Sequence, residues 1–192
     1  PKMEAVSLGV EVVKNTTDLK NLIAKLVEEF HQPILVEQFI PGREFAIGLI
    51  GNKDPEVFPL LEIDLAGDPN AIQSLEDKLK KPKNKICPAL LDDQLAEELR
   101  RLTKETAKVL GVYDFCRVDY RLDNEGNIYI LELNSMASLG DTGSYVHAAK
   151  VAGYTFETMV NRMLDVAVER YFGSQQMDQI SVEEPQSKSK KG

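Results

Sequence analysis

The sequence predicts an α+β fold in which antiparallel sheets are flanked by amphipathic helices. Short alternating apolar stretches separated by turn residues, such as Pro-Gly at 41–42 and Asp-Asn-Glu-Gly at 123–126, are typical of antiparallel strands. They predict strands at residues 9–14, 34–40, 44–50, 56–65, 112–122 and 128–134. Apolar residues at helical spacing predict helices at residues 19–30, 92–110, 145–152 and 155–172.

Capping and breaking residues set the ends of these elements. The first helix follows the capping residues 15–18 and stops before Pro33, and the second ends at Gly111. Residues 66–87 form a long, polar, lysine-rich connection, which is typical of a functional loop. Because the hydrophobic pattern ends there, residues 173–192 are expected to form a disordered tail.

Composition and charge exclude several classes of function. The net charge of −8, from 23 basic and 31 acidic side chains, argues against a nucleic-acid partner. No stretch approaches the roughly 20 apolar residues of a membrane span. The two cysteines lack metal-binding spacing, which favours a reducing compartment. We therefore expect a cytoplasmic protein with no membrane or nucleic-acid partner.

The last predicted hairpin carries a polar face. Residues two apart in a strand share a face, so Arg117 points the same way as Asp119. Glu132 and Asn134 do the same on the second strand. Carboxylates placed opposite each other repel, and either Arg117 or a divalent cation such as Mg²⁺ would relieve that repulsion. On the pattern alone, a solvated outer face with cross-strand ion pairs is the favoured alternative.

The register of this hairpin is predicted with Asp123 opposite Ile128. It places Asp119 opposite Glu132 on the polar face. The other face is then wholly apolar or aromatic, with Val118, Tyr120, Leu122, Tyr129, Leu131 and Leu133. A slip of one residue would place charge against the core, so the pattern specifies the register.

Several segments resemble one enzyme family in order and spacing. The segments CRVDY at 116–120 and ILELN at 130–134 closely resemble motifs of D-alanine–D-alanine ligases, which belong to the ATP-grasp superfamily. Further similar segments are VEQFIPGRE at 36–44, CPA at 87–89 and AAKVAG at 148–153. The resemblance implies an ATP-grasp fold with ATP in the cleft between two lobes.

The resemblance also implies a division of the chain. Residues 1–40 would be the incomplete remainder of the central lobe, and residues 41–172 the C-terminal lobe. The N-terminal lobe and a phosphate-binding lysine of the family would precede Pro1. We therefore expect the C-terminal part of a larger ligase, inactive by itself; the resemblance also allows a homodimer of the full-length protein.

The family assigns nucleoside contacts to the segment at 36–44. Glu44 would accept hydrogen bonds from the ribose hydroxyls. Glu37, with the backbone of Gln38 and Ile40, would meet the adenine edge. The alternative for both glutamates is ordinary charge on a strand surface.

Metal and catalytic roles follow for the polar hairpin. Asp119, Glu132 and Asn134 would bind Mg²⁺, with Mn²⁺ as an alternative, and Arg117 would hold the transferring phosphate and developing negative charge. Ser144 resembles the serine that binds the acceptor's carboxylate. Its alternative role is a helix N-cap.

Two further residues would touch the ATP phosphates. Ser7 is the best match to the family's phosphate-covering loop, and its alternative is a turn serine. Lys78 lies near the family's phosphate-contacting lysine. The other lysines that compete for this role are Lys80, Lys81, Lys83 and Lys85.

The implied activity is an ATP- and Mg²⁺-dependent ligation of a carboxylate to an amine through an acylphosphate, with amino-acid or peptide substrates. The chain departs from the family on the substrate side. The loop after Asn134 lacks the Pro-Gly of the family, and Ser144 lies one residue late. These departures predict a substrate other than a pair of D-alanines. A non-catalytic nucleotide-binding module and a purely structural domain remain the alternatives.

Overall fold

The computed structural model describes residues 1, 8–68, 70–72 and 83–173. Within these residues, six strands form one sheet: β1 Arg43–Ile50, β2 Glu56–Val57, β3 Leu61–Ile63, β4 Lys85–Ile86, β5 Phe115–Leu122 and β6 Ile128–Asn134. The strand order is β4-β3-β1-β5-β6, and β2 pairs with β1 outside that path. The pairs β1–β2 and β3–β4 are antiparallel. With its flanking helices, this sheet confirms the predicted α+β class.

The four predicted helices are confirmed: α1 Thr16–Phe30, α2 Asp93–Val109, α3 Ser144–Val151 and α4 Phe156–Phe172. Side-chain caps explain where three of them begin. Asn15, Asp92 and Thr155 each accept a hydrogen bond from a backbone N–H of the first helical turn. Each cap satisfies a donor that has no partner within its helix. None of the helices in the described part of the chain is long and apolar enough to cross a membrane.

The strands predicted at residues 9–14 and 34–40 were wrong, although both segments lie within the described residues. A strand needs a neighbour to complete its hydrogen-bond ladder. The structure assigns neither segment to the sheet, and their apolar side chains Val10, Val12 and Leu35 are exposed. Both segments do alternate in apolar residues. Without a partner strand, however, this alternation does not produce a β-strand.

The strand predicted at 56–65 is divided into β2 and β3. Pro59 lies between them and has no N–H to donate to a ladder. A later segment of the chain contacts this break. The Cys87 thiol donates to the Pro59 carbonyl oxygen at 3.5 Å, and the Ala89 N–H donates to the Leu60 carbonyl oxygen at 2.7 Å. These two hydrogen bonds hold the segment that leads into α2 against the break between β2 and β3.

The chain divides into two compact units. Of the described residues, unit 1 takes those within 1–45, 62–86 and 120–130, and unit 2 takes those within 46–61, 87–119 and 131–173. The core of unit 1 includes the buried side chains of Phe45, Ile63 and Tyr120. That of unit 2 includes Ile47, Phe58, Leu99, Val118, Tyr145 and Met159. The boundaries predicted at residues 40 and 173 stay predictions.

Candidate active site

Unit 2 gathers the four polar residues predicted on the hairpin. Arg117 donates to Asp119 through Nε at 2.6 Å and Nη2 at 2.7 Å, in a two-pronged ion pair. The Asn134 amide Nδ2 donates to Asp119 Oδ2 at 3.2 Å and to Glu132 Oε1 at 3.0 Å. The cluster of Arg117, Asp119, Glu132 and Asn134, called the acidic cluster below, is therefore one connected network.

The hairpin turn closes one residue earlier than predicted. The Asp123 N–H donates to the Asn127 carbonyl oxygen at 3.1 Å. Continued without interruption, this pairing would put Asp119 opposite Leu131. The Asn134 Nδ2 atom nevertheless reaches Asp119 Oδ2 at 3.2 Å, so the polar side chains of the two strands meet. The predicted turn register was wrong, whereas the predicted grouping of polar side chains is confirmed.

The face opposite the acidic cluster is a core face only on β5. Val118 and Tyr120 are fully buried, as predicted. On β6, Tyr129 is 37% exposed and Leu131 is 50% exposed, so the prediction of a core face was wrong there. β6 is also the last strand in the sheet order, so one of its edges has no neighbouring strand within the described sheet.

Burial shapes the electrostatics of the acidic cluster. The Asp119 side chain is 16% exposed, and its pKa is raised above the ordinary value. Burial is the main cause, Arg117 opposes it, and the nearby Glu132 carboxylate adds to it. Two carboxylates and one guanidinium leave the cluster with a net negative charge. A bound cation would therefore be stabilised here.

The donor set of the acidic cluster suits a hard divalent cation in part. Asp119 and Glu132 offer carboxylate oxygens, which Mg²⁺ prefers, and phosphate and water complete such sites. The described residues contain no group of three or more His, Cys, Asp or Glu side chains that would hold a metal unaided. Asn134 presents its NH₂ group to both carboxylates, so its amide must turn to offer oxygen to an ion.

The residues predicted for the nucleoside lie in unit 1. Glu37 and Gln38 are exposed, and Ile40 is partly buried, within a segment before β1 that has no regular secondary structure. Glu44 is the second residue of β1, and its side chain is 17% exposed. Its Oε2 atom lies 2.9 Å from Nη2 of Arg121.

Arg121 is the residue that sequence reasoning missed. It lies two residues beyond Asp119 in β5, and it is buried with only 4% exposure. The alternation that placed Arg117 and Asp119 on one face also includes Arg121. This shared face was the signal that the sequence offered. A third charged residue on a strand face that is partly buried needs a specific partner.

Three other predicted residues have different outcomes. Ser144 is the first residue of α3, and its alternative role as the N-cap was wrong because Gly143 holds that position. Ser7 and Lys78 lie outside the described residues. Their phosphate contacts stay predictions.

A surface depression of about 610 Å³ beside α2 is a weaker candidate. Its cations each pair with an acid already. Arg100 contacts Glu97 at 2.6 Å, and Lys104 contacts Asp54 at 3.1 Å. The depression therefore offers no uncompensated charge to a phosphate, and it contains none of the predicted site residues.

Comparison with known proteins identifies the family. Residues 1–165 match the family described as D-ala D-ala ligase C-terminus. The chain belongs to this family, which confirms the resemblance and the ATP-grasp ligase class.

Individual relatives agree with this assignment. An uncharacterized protein of Sinorhizobium fredii, y4sG, is 36% identical over 178 residues, which cover 91% of this chain and 52% of the relative. The D-alanine–D-alanine ligase of Carboxydothermus hydrogenoformans is 31% identical over 168 residues, or 86% of this chain and 53% of that ligase. The chain thus spans about half the length of these curated relatives.

A solved structure supports the fold. The D-alanine–D-alanine ligase of Bacillus anthracis complexed with ATP aligns with a TM-score of 0.70 and 17% identity. The alignment covers 84% of this chain and 50% of that one. At this identity, the likeness establishes the fold and no more.

Proposed function

We propose that the chain supplies the metal and phosphate-binding part of an ATP- and Mg²⁺-dependent ligase that joins a carboxylate to an amine through an acylphosphate. The observation that carries this proposal is the acidic cluster. Its four side chains form one network in which the charges are incompletely balanced. Such an arrangement suits a cation and phosphate oxygens better than it suits a solvated strand face.

In this proposal Asp119, Glu132 and Asn134 hold Mg²⁺, and Mn²⁺ is the alternative ion. The ion supplies neutralisation of charge on the phosphates, which phosphoryl transfer depends on more than on a protein nucleophile. Asp119 also fixes the plane of the Arg117 guanidinium through two hydrogen bonds. The fixed guanidinium then stabilises negative charge on the transferring phosphoryl group and on the later oxyanion.

The nucleoside end of ATP falls to the segment at 36–44 in this proposal. We assign the adenine edge to Glu37 with the backbone of Gln38 and Ile40, and the ribose hydroxyls to Glu44. Ser7 and Lys78 complete the proposal as phosphate contacts. A carboxylate is acceptor-only when ionised, so Glu44 suits a pair of hydroxyl donors.

The acyl and amine substrates are amino acids or peptides other than a pair of D-alanines in this proposal. The loop after β6 supports the difference, because it lacks the Pro-Gly of the family. The loop instead folds on itself, with the Gly143 N–H donating to Gly140 at 2.7 Å. A Cβ on Gly143 would meet carbonyl oxygens of Gly140 and Ser138 at 2.9 Å, so this tight packing requires glycine. Ser144, which begins α3, would contact the acceptor's carboxylate.

Cys87 and Cys116 are both free thiols in this structure, and free thiols are usual in a reducing compartment. An ATP-consuming ligase with free thiols would act in the cytoplasm. We retain that localisation as part of the proposal.

ADP release by the full-length protein tests the proposal. We expect ADP release to require Mg²⁺, a carboxylate and an amine from an amino-acid and dipeptide panel, with D-alanine alone a poor substrate. Glu132→Gln should lower the rate by about 100-fold or more, because the remaining ligands bind the cation weakly. Glu125→Gln is the matched control, since it removes the same charge from the exposed turn of the same hairpin.

Each failure has its own meaning. ATP binding without ADP release would favour the nucleotide-binding module, and absence of ATP binding would favour the structural domain. Efficient synthesis of D-alanyl-D-alanine would overturn the proposed change of substrate alone.

A further inference from the structure

Arg121 is a buried cation at the meeting point of three segments of unit 1. Its Nη2 atom lies 2.9 Å from Glu44 Oε2 and donates to the Ala71 carbonyl oxygen at 2.6 Å. Its Nη1 atom donates to the Gly42 carbonyl oxygen at 3.1 Å. The guanidinium carbon lies 5.5 Å from the centroid of the Phe39 ring.

Burial of the Arg121 guanidinium carries a desolvation penalty that its partners must offset. Removing a guanidinium from water is unfavourable unless its donors and charge are satisfied. Arg121 meets that requirement with one carboxylate, Glu44, and two backbone carbonyl groups. The planar fork of an arginine directs its donors at fixed angles, which a lysine does not do. Arg121 therefore constrains the position of the Glu44 carboxylate.

The backbone around Glu44 is constrained at the same point. Gly42 has φ +134°, and a Cβ there would collide with the carbonyl oxygen of Leu122. The Arg121 contact with the Gly42 carbonyl adds a second restraint. The segment from Phe39 to Glu44 carries the predicted ribose contact. The Arg121 side chain and the close backbone packing at Gly42 both hold this segment against the end of β5.

We propose that Arg121 is the positioning residue for ribose recognition. Its contact with Oε2 fixes the orientation of the Glu44 carboxylate, which presents its acceptor capacity to the ribose hydroxyls. Arg121 itself touches no part of the nucleotide in this role. The inference rests on the proposed function, because it assigns a ribose contact to Glu44.

The test compares dissociation constants of the full-length protein for ATP and for 2′,3′-dideoxy-ATP, both with Mg²⁺. The unmodified protein should prefer ATP by about tenfold or more, as expected for hydrogen bonds to a charged acceptor. Arg121→Met and Glu44→Gln should each reduce the preference to about twofold or less. The double variant should lose no more than either single variant, because both changes remove one interaction.

A matched control separates positioning from general damage. Arg43 adjoins Glu44 in β1 and makes its own two-pronged pair with Glu62, at 2.7 Å for both hydrogen bonds. Arg43→Met removes a two-pronged but more exposed ion pair from the same unit, with Arg43 at 40% and Arg121 at 4% exposure, and should leave the preference for ATP intact. Arg121→Lys keeps the charge and should retain an intermediate preference, and it decides the test if Arg121→Met fails to fold.

The outcomes distinguish this inference from the proposed function. If the unmodified protein binds no ATP, the proposed function fails. If it binds ATP with a ribose preference that Glu44→Gln abolishes and Arg121→Met preserves, the inference alone is overturned. ATP binding with no preference over the dideoxy nucleotide also overturns the inference, while leaving the proposed phosphate and metal roles standing.

Discussion

Replacing Arg117 with methionine should expose the electrostatic cost of the acidic cluster. The change keeps most of the side-chain length and removes the two hydrogen bonds to Asp119. The two side chains are only 17% and 16% exposed, so water replaces the lost partner poorly. Breaking a buried pair by removing one partner costs about 3–5 kcal/mol, and partial exposure reduces our expectation to about 2–4 kcal/mol.

The assay is native-state hydrogen exchange of the Val118 amide in the full-length protein, in the presence of a chelator. This amide lies within β5 between Arg117 and Asp119, so it reports the free energy of opening that strand. Arg117→Met should lower that free energy by the amount above. In an Asp119→Asn background, the same change should cost less than about 1 kcal/mol, because no charge is then left unpaired.

The pH dependence has a definite sign. Burial raises the pKa of folded Asp119, so its contribution to stability is complete at acid pH and is lost as pH rises through the folded pKa. Arg117 opposes that shift, and its removal raises the pKa further. The loss of opening free energy caused by Arg117→Met should therefore grow from acid to neutral pH. An equal deficit in the Asp119→Asn background, or at every pH, would refute this reasoning.

Two further changes test other contacts of the fold. The pKa of Asp114 is lowered, chiefly by its hydrogen bonds with Arg170, so its stabilisation is present above the unfolded pKa and is lost as pH falls through the folded pKa. Asp114→Asn should remove that acid-dependent part of the unfolding curve, and an unchanged acid titration monitored by circular dichroism would contradict it. Gly42→Ala should weaken ATP binding by about tenfold or more through the collision with Leu122. Gly126 also has a positive φ, +86°, but a Cβ there meets no atom within 4 Å, so Gly126→Ala should strain only the turn and leave ATP binding nearly unchanged in the same titration.

Local signals explain what the sequence could predict. Asn15, Asp92 and Thr155 mark helix starts because each cap acts within three residues of its partner. The acidic cluster was predictable for a related reason. Its residues lie in two neighbouring strands joined by a short turn, so side-chain alternation alone groups them.

Contacts distant in sequence explain what it could not. The segments at 9–14 and 34–40 have the apolar pattern of strands, but a strand is defined by its neighbour, which no local pattern supplies. The exposure of Leu131 depends on which distant segments pack over its face of β6, and alternation within the strand does not reveal that. Arg121 was missed because its partners Glu44 and Ala71 precede it by dozens of residues.

Cation binding tests the central claim most directly. The full-length protein would be titrated with Mn²⁺ in the presence of ATP, and the free ion would be measured by electron paramagnetic resonance. We predict that the protein–ATP complex binds Mn²⁺ more tightly than ATP alone, and that Asp119→Asn and Glu132→Gln each weaken this binding by about tenfold or more while Glu125→Gln does not. Mn²⁺ binding that equals that of free ATP, or that both cluster variants leave unchanged, would contradict the account.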